Sequence, residues 1–323
     1  MTISGILAIL FALPLPAVAQ GLRIDTAESD AVLAILAGGN ERPRLLASEG
    51  YTRLKKREAS MGRTFSDADF QAFLDSPALP EKRDALAATL REWKRADIEA
   101  IGERVRAFLP AEAKLKATVY IVIKPQSNSF VFDLKADPAI FLYLDPAKTR
   151  AQFENTVAHE LHHIGLASLP DRTDPALPSK LRAAVEWLGA FGEGLAMLAA
   201  AGSPEVHPHR DSPPEDRARW DRDSKNLAHD MRAVEGFLIA VAKGELDENQ
   251  RREKGMSFFG TQGPWYTVGW RMAVTVEQAK GRAELLECMR DMRRLLFDYN
   301  DAAKAAGFPQ WSEELINAFR KPL

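Results

Sequence analysis

The stretch Asp145-Pro146-Ala147-Lys148-Thr149-Arg150, followed after eight more residues by His159-Glu160-Leu161-His162-His163-Ile164-Gly165, decides how the chain is read. Asp145 predicts a helix cap and Pro146 a first-turn residue. Phe153, Val157, Leu161 and Ile164 recur at helical spacing, and Gly165 offers a stop, giving a helix of about 17 residues. His159 and His163 stand at i and i+4, so they project from one face a turn apart. Glu160 lies about 80° to one side of that face and His162 about as far to the other. Two imidazoles so placed can hold one metal ion, with the intervening carboxylate beside the ion's water. The competing reading is a helix with three incidental histidines on a polar face. His162 reads as a packing or ligand-orienting residue.

A catalytic zinc ion usually takes three protein ligands and keeps one position for water. No H-x-x-G-x-x-H extension follows His163, so the third ligand must come from further along. Leu181 to Ala201 reads as one strongly apolar helix that nevertheless carries Glu186 and Glu193. An unpaired buried carboxylate costs several kcal/mol, and a metal gives Glu193 its reason. The flanking Gly192 and Gly194 would let this helix approach the motif helix closely. Glu186, seven residues earlier on nearly the same face, is the competing ligand or a partner that orients a ligand histidine.

His159-Glu160-x-x-His163 with a distant Glu193 in Phe191-Gly192-Glu193-Gly194-Leu195-Ala196 resembles the gluzincin branch of the zincin metallopeptidases. More specifically it resembles a family of uncharacterised bacterial zinc-dependent peptidases. Gly263-Pro264-Trp265-Tyr266-Thr267-Val268-Gly269-Trp270 carries the likeness further, over roughly residues 115–300. The resemblance implies that His159, His163 and Glu193 bind one Zn²⁺ per chain and that Glu160 is the general base. It also makes Tyr266 the candidate oxyanion donor, against the plainer reading of a half-buried tyrosine at a helix start. One position departs: many gluzincins have an acidic residue four after the glutamate ligand, where this chain has Met197.

Ala117–Ile123 reads as a buried strand, and Ser129–Asp133 and Ala139–Leu144 as two more. The resemblance implies a small twisted sheet packed on the motif helix, with an edge able to hold an extended peptide; Phe141–Leu144, directly before that helix, is the candidate edge, and the competing reading makes all three strands core. Residues 20–114 read as a helical region, with helices over Ala27–Leu36, Phe65–Leu74 and Glu81–Leu109 and with Ser66 as a cap. The run Arg53-Leu54-Lys55-Lys56-Arg57 reads there as a solvated face. The expected fold is α+β, mainly α: this N-terminal helical region, then a zincin-like catalytic part over residues 115–323. Ser203–Arg222 is polar and punctuated by proline, a loop and candidate lid, in which His207 and His209 read as surface residues. Lys225–Val241, Thr267–Lys280, Ala283–Asn300 and Trp311–Phe319 complete the helices, with His229 structural.

Met1–Ala19 holds an apolar run and ends Ala17-Val18-Ala19, an A-x-A pattern that predicts a cleaved signal peptide, export to a periplasm and no stable membrane anchor. Cys288 is the sole cysteine, so no intrachain disulfide is possible, and its apolar neighbours make it a packed thiol. Lys and Arg number 43 against 45 Asp and Glu, interspersed, so no basic stripe recommends nucleic acid as a partner. Three functional readings stand. They are a secreted zinc peptidase acting on peptide or protein substrates, a zinc hydrolase of another amide or ester, and a non-catalytic binding protein on the same scaffold. The intact set of His159, Glu160, His163 and Glu193 argues against the last. Oligomeric state is not legible.

Overall fold

A computed structural model describes residues 21–170 and 177–320. The expected signal peptide, Met1–Ala19, and most of the Pro- and Asp-rich connection after the motif helix lie outside the described residues. Strand β1 (Leu22–Asp25) comes first, followed by α1 (Ala27–Leu36), α2 (Arg42–Ala47), α3 (Glu49–Ser60), α4 (Asp67–Leu74), α5 (Ala78–Glu81), α6 (Arg83–Trp93) and α7 (Ile98–Arg106). Then come β2 (Ala117–Val122), β3 (Phe130–Phe132), β4 (Ala139–Tyr143) and the motif helix α8 (Arg150–Ala167). Nine helices follow among the described residues: α9 (Ser179–Leu188), α10 (Gly192–Ala201), α11 (Pro214–Asp223), α12 (Leu227–Lys243), α13 (Glu248–Ser257), α14 (Pro264–Lys280), α15 (Arg282–Arg290), α16 (Met292–Ala306) and α17 (Glu313–Phe319). The class is α+β and mainly α, as expected.

The sheet has the order β1-β2-β4-β3, parallel except for β3, which folds back antiparallel on β4. Every residue of β2 is buried, as a central strand covered on both faces requires. Val119, Ile121, Ile140 and Leu142 face α8, meeting Phe153, Val157, Leu161 and Ile164. Tyr120, Val122, Ala139 and Phe141 form the opposite face, covered by Leu54 of α3. Three layers result, with α3 outside, the sheet between and α8 inside.

Several expectations change here. β1 was not foreseen, because four residues of alternating character give little periodic signal; it pairs with β2 from Leu22 opposite Ala117. Phe141–Leu144 is not an edge: β4 lies between β2 and β3, and β3 is the outer strand on that side. The predicted helix Glu81–Leu109 is two helices, divided where Asp97 caps α7 by accepting from the Ala100 N–H. Ala283–Asn300 likewise divides at Asp291, which caps α16. Arg53 is buried, its guanidinium 5.6 Å from the Tyr120 ring centroid, so the basic run around it is only partly solvated.

Two large apolar clusters divide the described molecule. One gathers residues of α1–α7, the sheet and α8; the other is built from α9, α10 and the later helices. Trp265 stands in the second, fully buried, edge-on to Phe191 at 5.0 Å and donating from Nε1 to the Gly255 carbonyl at 2.9 Å. Cys288 is buried there too, as a packed thiol.

Candidate metal centre

The motif helix starts later than its sequence suggested. Asp145 and Pro146 form a turn, in which the Asp145 side chain accepts from the Ala147 N–H at 2.9 Å. The helix is instead capped by Thr149, which forms a reciprocal capping box with Gln152. Gly165 does not stop the helix but lies within it. A Cβ there would meet Leu109 Cδ1 at 2.2 Å, so glycine is needed for the chain after α7 to pack against α8. These shifts leave His159 and His163 one turn apart on the same face.

Glu193 reaches that face from α10. Its Oε2 stands 3.1 Å from Nε2 of both histidines, and the two Nε2 atoms are 3.1 Å apart. Among the described residues this is the group of three metal-ligating side chains that converges. Each keeps a small exposed fraction (14 %, 24 % and 17 % for His159, His163 and Glu193), which a site open to substrate requires. Burial opposes charge on Glu193, but the hydrogen bonds and charges of His159 and His163 outweigh it and hold the carboxyl well below its usual range. Burial likewise opposes a charged His163, while the Glu193 hydrogen bond and charge raise its pKa.

Does a zinc ion fit this set? Two imidazole nitrogens and a carboxylate oxygen are a common zinc donor set. Three atoms 3.1 Å apart lie about 1.8 Å from their common centre, close enough together for all three to hold one ion at the ~2.0–2.1 Å zinc–ligand distance. Three lone pairs aimed at one point repel each other unless a cation or a shared proton sits among them. The residues fit the ion.

Glycines set the carboxylate's position. A Cβ on Gly194 would stand 2.0 Å from the Trp270 backbone nitrogen, and one on Gly269 would stand 2.8 Å from the Phe191 carbonyl oxygen, so α10 and α14 touch backbone to backbone. Gly192 faces the motif helix, 3.2 Å from Leu166 Cδ2 on the same construction; Gly194 serves α14 instead. The close crossing brings Tyr266 to the site, its ring 6.3 Å from that of His159 and near parallel to it. Burial and then the neighbouring Glu193 carboxylate hold the Tyr266 phenol far above its ordinary pKa, so it remains a hydrogen-bond donor. Met197, at the position where an acidic residue was the likeness's norm, is buried.

The other candidates lie elsewhere. Glu186 is exposed on α9 and outside the converging group. The predicted single helix is broken by a 3₁₀ turn at Gly189–Phe191, so Glu186 and Glu193 stand on two successive helices, α9 and α10. His162 is fully buried with Nε2 3.2 Å from the Phe108 carbonyl, and burial, then His163 and His159, push its pKa down to about 3. It is therefore a neutral packing residue. His207 pairs with Asp221 at 3.0 Å, while His209 is not on the surface but buried, 5.2 Å from the Trp220 ring. His229 is exposed.

Glu160, His163 and Glu193 open onto a cavity of about 390 Å³. Its remaining wall includes Val131 and Leu134, which sequence reasoning did not single out; an apolar residue beginning the turn after a short strand was the available signal. Comparison of the chain with known proteins adds an independent line. No curated protein and no solved structure matches it. A family model described as "Putative zinc dependent peptidase (DUF5700)" matches residues 44–307, a span that includes the motif helix, Glu193 and Tyr266. The chain belongs to that family of zinc-dependent peptidases.

Proposed function

We propose that the protein is an exported peptidase that holds one zinc ion on His159, His163 and Glu193 and hydrolyses peptide bonds with Glu160 as general base. The convergence of three donor atoms, each 3.1 Å from the other two, beside a cavity that Glu160 also lines, carries this reading. When bound there, zinc supplies Lewis acidity, lowering the pKa of a coordinated water towards ~7. Glu160 takes the proton of the attacking water and passes it to the leaving amine. Tyr266 keeps its proton and donates a hydrogen bond to the oxyanion of the tetrahedral intermediate. The outer strand β3 offers main-chain groups to an extended peptide, because among the described residues only its β4 side is paired.

The test joins metal analysis to an unbiased peptide-library digest. Wild type should hold about one zinc per chain and cleave peptides. Glu160→Gln should keep the zinc and lose roughly 10²–10⁴-fold in kcat. Glu193→Ala should lose the zinc; full occupancy in that variant refutes the ligand assignment. Export rests on the Met1–Ala19 leader. Protein recovered from the periplasm should begin at Gln20, and an intact Met1 on the recovered chain would refute cleavage there.

A further inference from the structure

We infer that a second cavity, at the carboxyl end of β2 on the α3 side of the sheet, binds a free amino acid with an apolar side chain, whose carboxylate the Lys124 amine holds. No residue of the metal centre lines this space, so the site stands independently of the peptidase reading.

The cavity, of about 220 Å³, lies between α3, the connection into α4 and the residues that follow β2. Strands β1, β2 and β4 run parallel, so their carboxyl ends share one rim of the sheet, where open α/β sheets form ligand crevices. Lys124 lines the cavity two residues past the end of β2 and is only 4 % exposed. A lysine so buried is ordinarily paired with a carboxylate. Here Nζ donates instead to two neutral oxygens, the Gln126 carbonyl and Asn128 Oδ1, the latter at 2.6 Å. An ammonium has three N–H groups, so one is left to donate. Burial, against the pull of Glu58, takes the Lys124 pKa down to about 8. A ligand carboxylate supplies the counter-charge that its two protein partners lack.

The remaining walls fit the rest of an amino acid. Leu54, Phe65 and Phe70 are apolar, the two rings 5.6 Å apart. Glu58 and Asp69 offer carboxylates to an ammonium, and with Lys124 and Arg63 they leave the walls without net charge. A zwitterion matches that balance. An anion alone would meet the two carboxylates, and a cation alone would meet the buried lysine. The volume lies below the ~300–1,000 Å³ of drug-sized sites, which limits the occupant to a molecule the size of one residue.

The experiment is calorimetric titration of zinc-loaded full-length protein with phenylalanine and with three analogues that each lack one feature: glycine, phenylalaninamide and N-acetylphenylalanine. Phenylalanine should bind with a Kd below about 1 mM, and each analogue at least ~10-fold more weakly. Lys124→Met should weaken phenylalanine binding by roughly 10–100-fold. Because that change also releases Gln126 and Asn128, a second variant leaves the lysine in place: Thr64→Trp, at an exposed wall position, should fill the cavity and abolish binding. Glu193→Ala should bind phenylalanine as wild type does; loss of binding there puts the amino acid at the metal centre and overturns the site. Wild-type affinity in both Lys124→Met and Thr64→Trp overturns it too, as does an analogue that binds as tightly as phenylalanine, or no binding of phenylalanine up to about 10 mM. Peptide cleavage enters none of these readouts, so failure of this site and failure of the peptidase reading are separately visible.

Discussion

Glu193 and Glu28 show how two buried glutamates can have opposite fates. Glu193 sits between two imidazoles that favour its charged form. Glu28 is fully buried at the start of α1, where its Oε2 accepts from the Ile123 N–H at 2.9 Å, just past the end of β2, while Oε1 has no hydrogen-bond partner among the described residues. Desolvation dominates there and pushes its pKa up to about 8 from an ordinary 4.5, despite the Ile123 hydrogen bond and Lys124. The folded protein therefore binds the Glu28 proton more tightly than the unfolded chain does. The stabilisation this gives is complete below about pH 4.5 and is lost as pH rises towards 8. Lys124, with its pKa lowered by burial to about 8, changes its contribution only above that window. Glu28→Gln keeps an acceptor for Ile123 and removes the charge. Between pH 5 and pH 8 the variant should gain stability over wild type by a margin growing to a few kcal/mol, at up to ~1.4 kcal/mol per pH unit. Urea unfolding at four pH values checks this; a difference that stays flat across the window means the carboxylate is not buried as described.

At the scale of elements, the crossing of α10 and α14 sets the geometry at Glu193. With Gly194 against the Trp270 backbone, even one methyl group forces the helices apart or shifts α10 along its axis. Overpacking of this kind costs typically ~1–3 kcal/mol, and here the displaced neighbour is the proposed ligand itself. Gly194→Ala should thus lower zinc affinity by at least ~10-fold while helical circular dichroism persists. Gly189→Ala is the control: it lies on the same chain segment, but a Cβ there meets nothing within 4 Å. Equal zinc affinity in the two variants would remove the crossing from the account. These elements also mark what sequence can carry. The i, i+4 histidines and the glutamate on an apolar helix were legible, because charge in an apolar context and helical period are local signals. Thr149 rather than Asp145 as the cap, Gly165 inside its helix, the 3₁₀ turn between Glu186 and Glu193, and β1 were not. The glycine and the strand are decided by contacts with residues distant in the chain, Leu109 against Gly165 and Leu22 against Ala117, whereas the Thr149 cap is a local pairing with Gln152 that competed with the Asp145-Pro146 turn.

For the whole molecule, the proposed ligands come from opposite sides of its main division. His159 and His163 stand on α8, whose apolar face belongs to the cluster with the sheet, whereas Glu193 and Tyr266 stand on α10 and α14 of the other cluster. Another link across this division pairs Arg290 with Glu112. Solvent-exposed ion pairs of that sort contribute only ~0–1 kcal/mol each. An ion bound to the folded arrangement alone contributes RT ln(1 + [Zn]/Kd), about 2.7 kcal/mol at one hundred times Kd, and so exceeds any one of them. Removing zinc with a chelator should lower the melting temperature by roughly 5 °C or more and quicken proteolysis near the junction of the clusters. In Glu193→Ala the chelator should change nothing, since that variant no longer joins α10 to α8 through the ion. A wild-type melting temperature indifferent to zinc, with metal analysis still reporting bound ion, would mean that the ion binds the unfolded chain as tightly as the folded one and is not what holds α10 to α8.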